Sequence, residues 1–178
     1  MRMTQDIIHD LSRRFQTGEI TRQRDNLVFV SIASQHALPA LEWLKVQHGF
    51  THLVLLTATD WIEENQFQLT YLLHNPEEKT DLGLRVFLPR ENTVMESAHR
   101  LWPAIVTYQR ELNEMFGIAF PGSPRVDEPF ILEGWEGTPP YRREFDTKRF
   151  AATFYHQRGG RQTHDPATYM KEKLYPDE

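Results

Sequence analysis

The chain has 178 residues, of which 39% are hydrophobic and 25% charged, and its formal net charge is −5. This composition is typical of a folded domain, and the acidic balance argues against a nucleic-acid binder, because phosphate recognition requires a basic surface. The sequence has no cysteine, which excludes disulfides, thiolate zinc sites and iron–sulfur ligation by this chain. No run approaches the ~20 apolar residues that span a bilayer, so we expect a soluble protein.

The first part of the sequence predicts helix, strand and helix in turn. Thr4 is a candidate N-cap for a helix that ends near Thr17, since apolar residues recur there at helical spacing. Residues 26–33 are mostly aliphatic or aromatic and predict a strand. Ser34 then follows as the candidate N-cap of a second helix, and Gly49 is its natural stop.

Three further strands are predicted in the middle of the chain. Residues 51–61 are rich in β-branched and aliphatic side chains, and residues 67–73 and 82–88 alternate apolar with polar positions. The connections between these segments are short, polar and typical of turns. We therefore expect the three strands to be antiparallel neighbours in one sheet.

Two helices complete the predicted domain. A short one covers residues 96–102, and a longer one covers residues 103–117, where Pro103 suits the first helical position. The expected fold class is α+β. We predict a single domain of βαβββα order over residues 1–120.

Residues 121–178 differ in character from this domain. Prolines and glycines recur, and neither a helical nor a strand period is evident. The segment is still rich in aromatic residues, which disordered chains usually lack, and between positions 141 and 161 six Arg or Lys residues accompany two acidic ones. Aromatic residues interleaved with arginine are typical of interface cores. We expect an extended, mostly irregular segment that wraps a partner, with a free disordered tail as the alternative.

Candidate catalytic groups are few. Asp60 ends a predicted strand, Glu111 and Glu114 are spaced for one helix face, and His156 and His164 lie in a glycine-containing stretch. None has a nucleophile beside it in sequence, and a metal site requires a rigid second shell that two glycines do not favour. We expect no catalytic, metal or cofactor site in this chain. An independent enzyme, or a nucleic-acid module built on the basic run, remains as an alternative.

Several stretches resemble one family in order and spacing. They are "FTHLVLLTATDW", "FQLTYLLHN", "LGLRVFLPREN", "LWPAIVTYQRELNEMFGIAFPGSP" and "WEGTPPYRREF". Together they resemble the 30 kDa subunit family of respiratory complex I, also named as the C subunit of NADH–quinone oxidoreductase, which includes the counterpart subunit of membrane-bound energy-converting hydrogenases. The likeness covers roughly residues 27–146. The sequence departs from the usual Glu-Arg-Glu start of the signature helix at Gln109, and from the usual Gly-His-Pro at Ser123.

The resemblance implies a redox-silent structural subunit in the hydrophilic arm of an ion-translocating oxidoreductase complex. Such a subunit docks the large catalytic subunit beside the terminal iron–sulfur subunit, on the cytoplasmic side of the membrane, and meets the membrane only through partners. Iron–sulfur clusters, and a flavin or a nickel–iron site, are then expected in the partner subunits. The alternative is the same role in an energy-converting [NiFe] hydrogenase or a formate hydrogenlyase.

The resemblance and the tail composition together predict a set of partner-binding residues on the signature helix and the exit segment. They are Arg110, Glu111, Glu114, Trp135, Arg142, Arg143 and Phe145. For Arg110, Glu111 and Glu114 the alternative is a solvated helix face, and for Arg142 and Arg143 it is free surface charge. Trp135 has the alternative of packing on the core of its own domain.

Overall fold

The computed structural model describes residues 2–154, with the side chains of residues 2–4 and 154 left out of the description. The elements in chain order are α1 (Arg2–Phe15), β1 (Thr17–Arg24), β2 (Leu27–Ile32), α2 (Ser34–His48), β3 (His52–Trp61), β4 (Gln66–Asn75), β5 (Thr80–Pro89), α3 (Ile105–Phe116) and α4 (Thr147–Phe154). A compact unit extends through Phe145, and a second unit begins at Asp146 and includes α4.

One five-stranded sheet organises the first unit, in the order β1-β2-β5-β4-β3. Strands β2 and β5 are parallel, and the other pairs are antiparallel. The succession β2-α2-β3-β4-β5-α3 is the predicted βαβββα order, so the α+β class is confirmed. The three predicted neighbours β3, β4 and β5 do pair antiparallel, as their alternating patterns indicated.

The hydrophobic core lies on one face of the sheet, where side chains from α1, α2 and α3 meet those of the strands. Strand β4 shows the geometry, because buried and half-buried side chains alternate along all of it. Tyr71 of this strand is completely buried, and burial raises the pKa of its phenol. On the opposite face the alternate positions of β4 stay half-exposed.

Strand β1 is a correction to the prediction. The first helix ends at Phe15, and Gln16 turns the chain with a φ of 51° directly into β1. The sequence of β1, "TGEITRQR", is polar, and its side chains are half-buried or exposed throughout. It forms a strand because its backbone pairs with β2, for example Thr21 opposite Phe29. No periodicity could signal it, since neither face of this edge strand is deeply buried.

The short helix predicted over residues 96–102 is wrong, because this stretch is irregular apart from a turn at residues 99–101. The side chain of Ser97 bonds to Gln109 and accepts the backbone N–H of His99, which offers the chain an alternative to helical bonding. Helix α3 accordingly begins at Ile105 rather than at residue 103.

The cap predicted for the second helix is also wrong. Helix α2 begins at Ser34 itself, and the N-cap position is occupied by Ala33. Alanine has no side-chain oxygen, so no side chain caps the amides of the first turn. Gly49 ends α2 as predicted, with a φ of 69° that favours glycine.

The predicted domain boundary at residue 120 does not coincide with the compact unit, which continues to Phe145. The reason is that residues 121–145, although they contain no helix or strand, contribute Val126, Phe130 and Leu132 to the packing around the core. Among the described residues, no helix has both the length and the apolar character needed to cross a membrane.

Candidate docking surface on the C-terminal strap

Residues 121–145, here called the strap, run along the first unit and are held by side chains of α3 and of the sheet. The first anchor is Gln109, which is completely buried on α3. Its Oε1 accepts hydrogen bonds from the hydroxyls of Ser97 at 2.8 Å and Ser123 at 2.6 Å. Gln109 therefore joins the irregular stretch before α3 to the beginning of the strap.

The second anchor is a pair of charged side chains, Arg110 and Glu114, about one turn apart on α3. Arg110 donates to the carbonyl oxygens of Glu128 at 3.4 Å and Pro129 at 2.6 Å. The carboxylate of Glu114 accepts three backbone N–H groups of the strap, from residues 130, 131 and 132, at 2.6 to 3.0 Å. Desolvation opposes ionisation, but these amides and Arg110 outweigh it and lower the pKa of Glu114.

The third anchor lies at the end of α3, where Gly117 takes a φ of 74°. Arg142 reaches this end, and its Nε donates to the carbonyl oxygen of Phe116 at 2.6 Å. The N–H of Tyr141 donates to the carbonyl oxygen of Met115 at 3.0 Å, and the tyrosine ring meets Phe116 edge to face at 5.7 Å. A side chain on Gly117 would come within 3.0 Å of the Arg142 guanidinium. The strap thus closes tightly over the helix end.

The fourth anchor is a buried ion pair at the end of β3. The side chains of Asp60 and Arg90 are only 2% and 12% exposed, with Arg90 Nε 2.8 Å from Asp60 Oδ1, an ion-pair contact rather than an aligned hydrogen bond. The second carboxylate oxygen accepts from Arg90 Nη2 at 3.0 Å and from the backbone N–H of Arg143 at 2.9 Å. Arg90 also pairs with Glu144. Asp60 therefore connects the end of β3 to the strap through its carboxylate.

Outside these anchors the strap presents side chains to solvent. Tyr141 is 56% exposed, and Trp61, next to Asp60 in the chain, is 41% exposed. Arg143 lies over the same strand end and pairs with Glu63 at 2.6 Å, both side chains being more than half exposed. The carboxyl of Glu63 has a lowered pKa, owing to a backbone hydrogen bond and to Arg143. Tyr141 and Arg143 of the strap are therefore exposed, as are Trp61 and Glu63 at the end of β3 and just after it.

The predicted partner-binding residues separate into inward and outward groups. Arg110, Glu114 and Arg142 bond to the chain's own backbone, an arrangement that the sequence did not predict. Arg143 is outward, and Glu111 is half-buried with no hydrogen bond or ion pair recorded among residues 2–154.

Trp135 and Phe145 pack on each other within the strap. Their ring centroids are 5.6 Å apart, and the indole N–H of Trp135 donates to the carbonyl oxygen of Thr138 at 3.3 Å. Both side chains are half-buried, so each leaves part of its ring accessible. Whether any predicted residue touches a partner stays a prediction.

The anchors Gln109, Arg90 and Ser123 were missed as site residues. The only signal in the sequence was that Gln109 and Ser123 both depart from the usual signature of the family. In the structure these two residues bond to each other. His156 and His164 lie outside the described residues. Among residues 2–154 no three His, Asp or Glu side chains are grouped to hold a metal ion.

A family model and the related proteins point to the same family. Residues 30–151 match the family described as the respiratory-chain NADH dehydrogenase 30 Kd subunit. The C subunit of the NADH-quinone oxidoreductase of Moorella thermoacetica is 29% identical over 140 residues, which cover 79% of this chain and 93% of that protein.

Some relatives are much longer than this chain. The second C/D subunit of the NADH-quinone oxidoreductase of Aquifex aeolicus is 33% identical over 108 residues, which cover 60% of this chain but 18% of that protein. The C/D subunit of the same enzyme in Psychrobacter arcticus is 29% identical over 160 residues, covering 84% and 27% respectively. The chain therefore spans about a fifth to a quarter of the length of these double-named relatives.

Two solved structures share the fold. A chain of the membrane-bound sulfane sulfur reductase, an archaeal respiratory membrane complex, has a TM-score of 0.78 at 24% identity and covers 92% of this chain and 97% of its own. A trypsin-resistant fragment of Nqo5 has a TM-score of 0.62 at 20% identity and covers 70% of this chain and 98% of the fragment.

Proposed function

Because the chain belongs to the respiratory-chain NADH dehydrogenase 30 kDa subunit family, we propose that it is a redox-silent structural subunit of a membrane-associated, ion-translocating oxidoreductase complex. Its role is to dock the large catalytic subunit beside the terminal iron–sulfur subunit. The reaction takes place in those partners, and this chain fixes their positions relative to each other.

The observation that carries the proposal is the pre-ordered strap. Four anchors fix an irregular segment with side chain to backbone bonds, and the strap leaves Tyr141 and Arg143 pointing outward. Tyrosine and arginine are enriched among the residues that dominate interface energetics. A segment that is ordered before binding loses less conformational entropy when the partner arrives. Such a surface suits a permanent contact between subunits.

The names of the relatives indicate which partner to expect. Several relatives carry the double name C/D, and the matched part is about a quarter of their length. A domain that occurs in one chain with a second subunit is held close to it by the covalent link. We therefore take the D-type subunit as the large partner that this strap contacts.

Cofactors and location follow from that placement. Iron–sulfur clusters, and a flavin or nickel–iron centre, belong to the partner subunits in this proposal. The chain lies on the cytoplasmic side and reaches the membrane through them.

A second candidate is the equivalent subunit of an energy-converting hydrogenase or formate hydrogenlyase. The observation that favours it is the paired departure at Gln109 and Ser123, which form a neutral buried contact where the usual signature has Glu and His. In that setting the large partner holds the nickel–iron centre. The docking role of this chain is the same in both candidates.

The test is affinity purification of the full-length chain from gently solubilised native membranes, with mass spectrometry of the proteins that accompany it. A double variant, Tyr141→Phe with Arg143→Glu, removes the tyrosine hydroxyl and reverses the charge at position 143. It keeps the ring on Phe116 and the backbone N–H that bonds to Asp60. The matched control is Val46→Ser, since Val46 is 66% exposed on α2.

We expect the D-type subunit and an iron–sulfur subunit to accompany the unchanged chain and the control, and to be lost from the double variant. An NADH- and flavin-binding module in the same eluate assigns complex I, and nickel-ligating cysteines in the large subunit assign the hydrogenase class. If the unchanged chain elutes alone, the scaffold role is overturned.

A further inference from the structure

The face of the sheet opposite the core helices has a distinct chemistry along β2 and β5. Phe29 and Ser31 of β2 stand beside Gly83 and Arg85 of β5 in the parallel register. Phe87 follows two residues further along β5 and is 38% exposed. Side chains two apart on a strand point the same way, so these positions share one face.

The centre of this face is a packed group of three residues. A side chain on Gly83 would come within 2.1 Å of the Phe29 ring, so the ring lies directly over the glycine. The same ring carries the Arg85 guanidinium at 4.4 Å from its centroid. Stacking on an aromatic face fixes an arginine in place while leaving its N–H groups free to donate. Arg85 is thus held in position on an open surface.

Arg85 has no counter-charge within the described part of the chain. Residues 2–154 provide it with neither an ion pair nor a hydrogen-bond acceptor, and its Nε is buried without a partner. Glu19, the acidic residue of strand β1 on the other side of β2, accepts a hydrogen bond from the Thr21 hydroxyl at 3.0 Å. Because a partly buried cation is costly to leave unpaired, this position is suited to an external anion.

Beside Arg85 the face continues into a cleft of about 510 Å³ at the beginning of α2. Gly18, Ser31, Ala33, Gln35 and Phe87 line it. Ser31 is 8% exposed, and its hydroxyl has no hydrogen-bond partner among residues 2–154.

The helix end in this cleft adds further donors. The first turn of α2 has no acidic residue and no side-chain cap. Amides at the beginning of a helix, reinforced by its dipole, favour a negative group. The cleft and Arg85 therefore present unused donors side by side.

We propose that this face, centred on Arg85, docks an acidic segment of a partner protein, with one carboxylate on the guanidinium and another group reaching the beginning of α2. A guanidinium fork bonds a carboxylate through two parallel hydrogen bonds. The flanking rings of Phe29 and Phe87 supply apolar contact around the charge, as in an interface hot spot. A protein segment fits better than a small anion, since the donors extend along the face between two aromatic side chains.

This inference rests on the proposed scaffold function and adds a second contact surface, distinct from the strap. The chain would then be held by its neighbours on two sides. A subunit that is bound at two surfaces is held with a higher overall affinity. The second contact forms within an already assembled complex, where the effective concentration of the partner is high.

The test uses a photoreactive phenylalanine analogue placed in the full-length chain within native membranes, in place of Phe87, of Tyr141 or of Val46. Irradiation and mass spectrometry then identify the peptide attached at each position. The Phe87 experiment is repeated with Arg85→Gln and with Arg85→Lys. We expect an Asp- or Glu-rich peptide of another subunit to be attached at position 87. With Arg85→Gln the yield of this attachment should fall about tenfold or more.

Attachment at position 141 in the Arg85→Gln chain serves as the folding control and should be unchanged. Arg85→Lys keeps the charge but lacks the fork, so it should give an intermediate yield. Attachment at Tyr141 but not at position 87 overturns the inference and leaves the scaffold function standing. Attachment to a second copy of this chain, or to a peptide without carboxylates, also overturns it. If neither position captures another protein, the scaffold function fails as well.

Discussion

The α+β body, residues 2–120, and the strap, residues 121–145, are held together in different ways. In the body every strand is paired along the sheet, and the core side chains come from helices and strands alike. In the strap there is no helix or strand, and its attachment depends on individual side chains such as Glu114, Arg142 and Asp60. Stability is therefore distributed in the body and concentrated at a few anchors in the strap.

This difference decides how each region responds to substitution. Removing one backbone pair from a five-stranded sheet leaves the neighbouring pairs in place. Removing one anchor from the strap frees several backbone N–H groups at once, since Glu114 alone satisfies three. A docking surface built on such anchors can be switched off without unfolding the domain beneath it.

The substitution Asp60→Ala should have the largest effect, because Asp60 belongs to both regions. The substitution leaves the buried Arg90 with Glu144 as its remaining ion-pair partner. It also removes the acceptor of the Arg143 backbone N–H. Breaking a buried ion pair on one side destabilises a protein by about 3 kcal/mol or more. Denaturant unfolding of the full-length chain measures the loss.

Glu63→Ala is the matched control, since it removes the exposed partner of Arg143 on the same edge. Its unfolding midpoint should stay close to that of the unchanged chain. Equal effects of the two substitutions would show that burial of the Asp60 pair is not what joins strap and body.

Gly117→Ala should separate the two regions more selectively. The positive φ of Gly117 strains any other residue by about 1–2 kcal/mol, and the added methyl lies 3.0 Å from Arg142 and 3.3 Å from Pro139. We expect faster hydrogen exchange in the peptide covering residues 139–145, measured by mass spectrometry, with little change in β4.

Gly122→Ala provides the comparison, because Gly122 has a similar φ of 77° and nothing within 4 Å of the added atom. It reports the backbone strain alone, at the beginning of the strap. If both variants loosen residues 139–145 equally, the contact with Arg142 does not fix the strap.

Glu114→Gln tests the anchor in the middle of the strap. The side chain keeps its shape but loses the charge, and its NH2 group cannot replace the oxygen that accepts the N–H of Phe130. We expect a loss of about 1.5 kcal/mol, the lower end for hydrogen bonds to charged groups, because the amide oxygen can still accept two of the three N–H groups. Exchange of the amides of residues 130–132 should accelerate correspondingly. Glu111→Gln on the same helix has no recorded partner to lose among residues 2–154 and should leave these amides unchanged.

Much of the body could be predicted from its sequence because each element carries its own periodicity. Strand β4 alternates over its whole length, and α2 ends at a glycine. Strand β1 and the irregular stretch at residues 96–102 could not be predicted, since their conformation depends on pairing with β2 and on the contact between Ser97 and Gln109. Tertiary contacts override local propensity at such positions.

The candidate site was predictable only in part. The family resemblance pointed to Arg110 and Glu114 on α3, and the composition of the tail pointed to Arg142. Neither could tell an arginine that bonds its own backbone from one that faces a partner. That distinction depends on where α3 places each side chain relative to the strap. Arg85, on the open face, had no signal in the sequence because it lies in an ordinary alternating strand.

The smallest expected effect is the pH dependence of the strap, and it follows from the lowered pKa of Glu114. A carboxyl group with a lower pKa in the folded state stabilises that state fully at pH values above its unfolded value, near 4.5. The contribution is lost as the pH falls through the folded-state pKa, because the protonated group no longer attracts the three amides.

Hydrogen exchange of residues 130–132 should therefore approach that of Glu114→Gln as the sample is acidified below about pH 4.5. Comparing the two chains at each pH removes the intrinsic pH dependence of exchange. The amides of β4 serve as the reference within the same spectra. A difference that stays constant down to acid pH would mean that the charge of Glu114 does not hold the strap, and that the geometry of its carboxyl group alone does so.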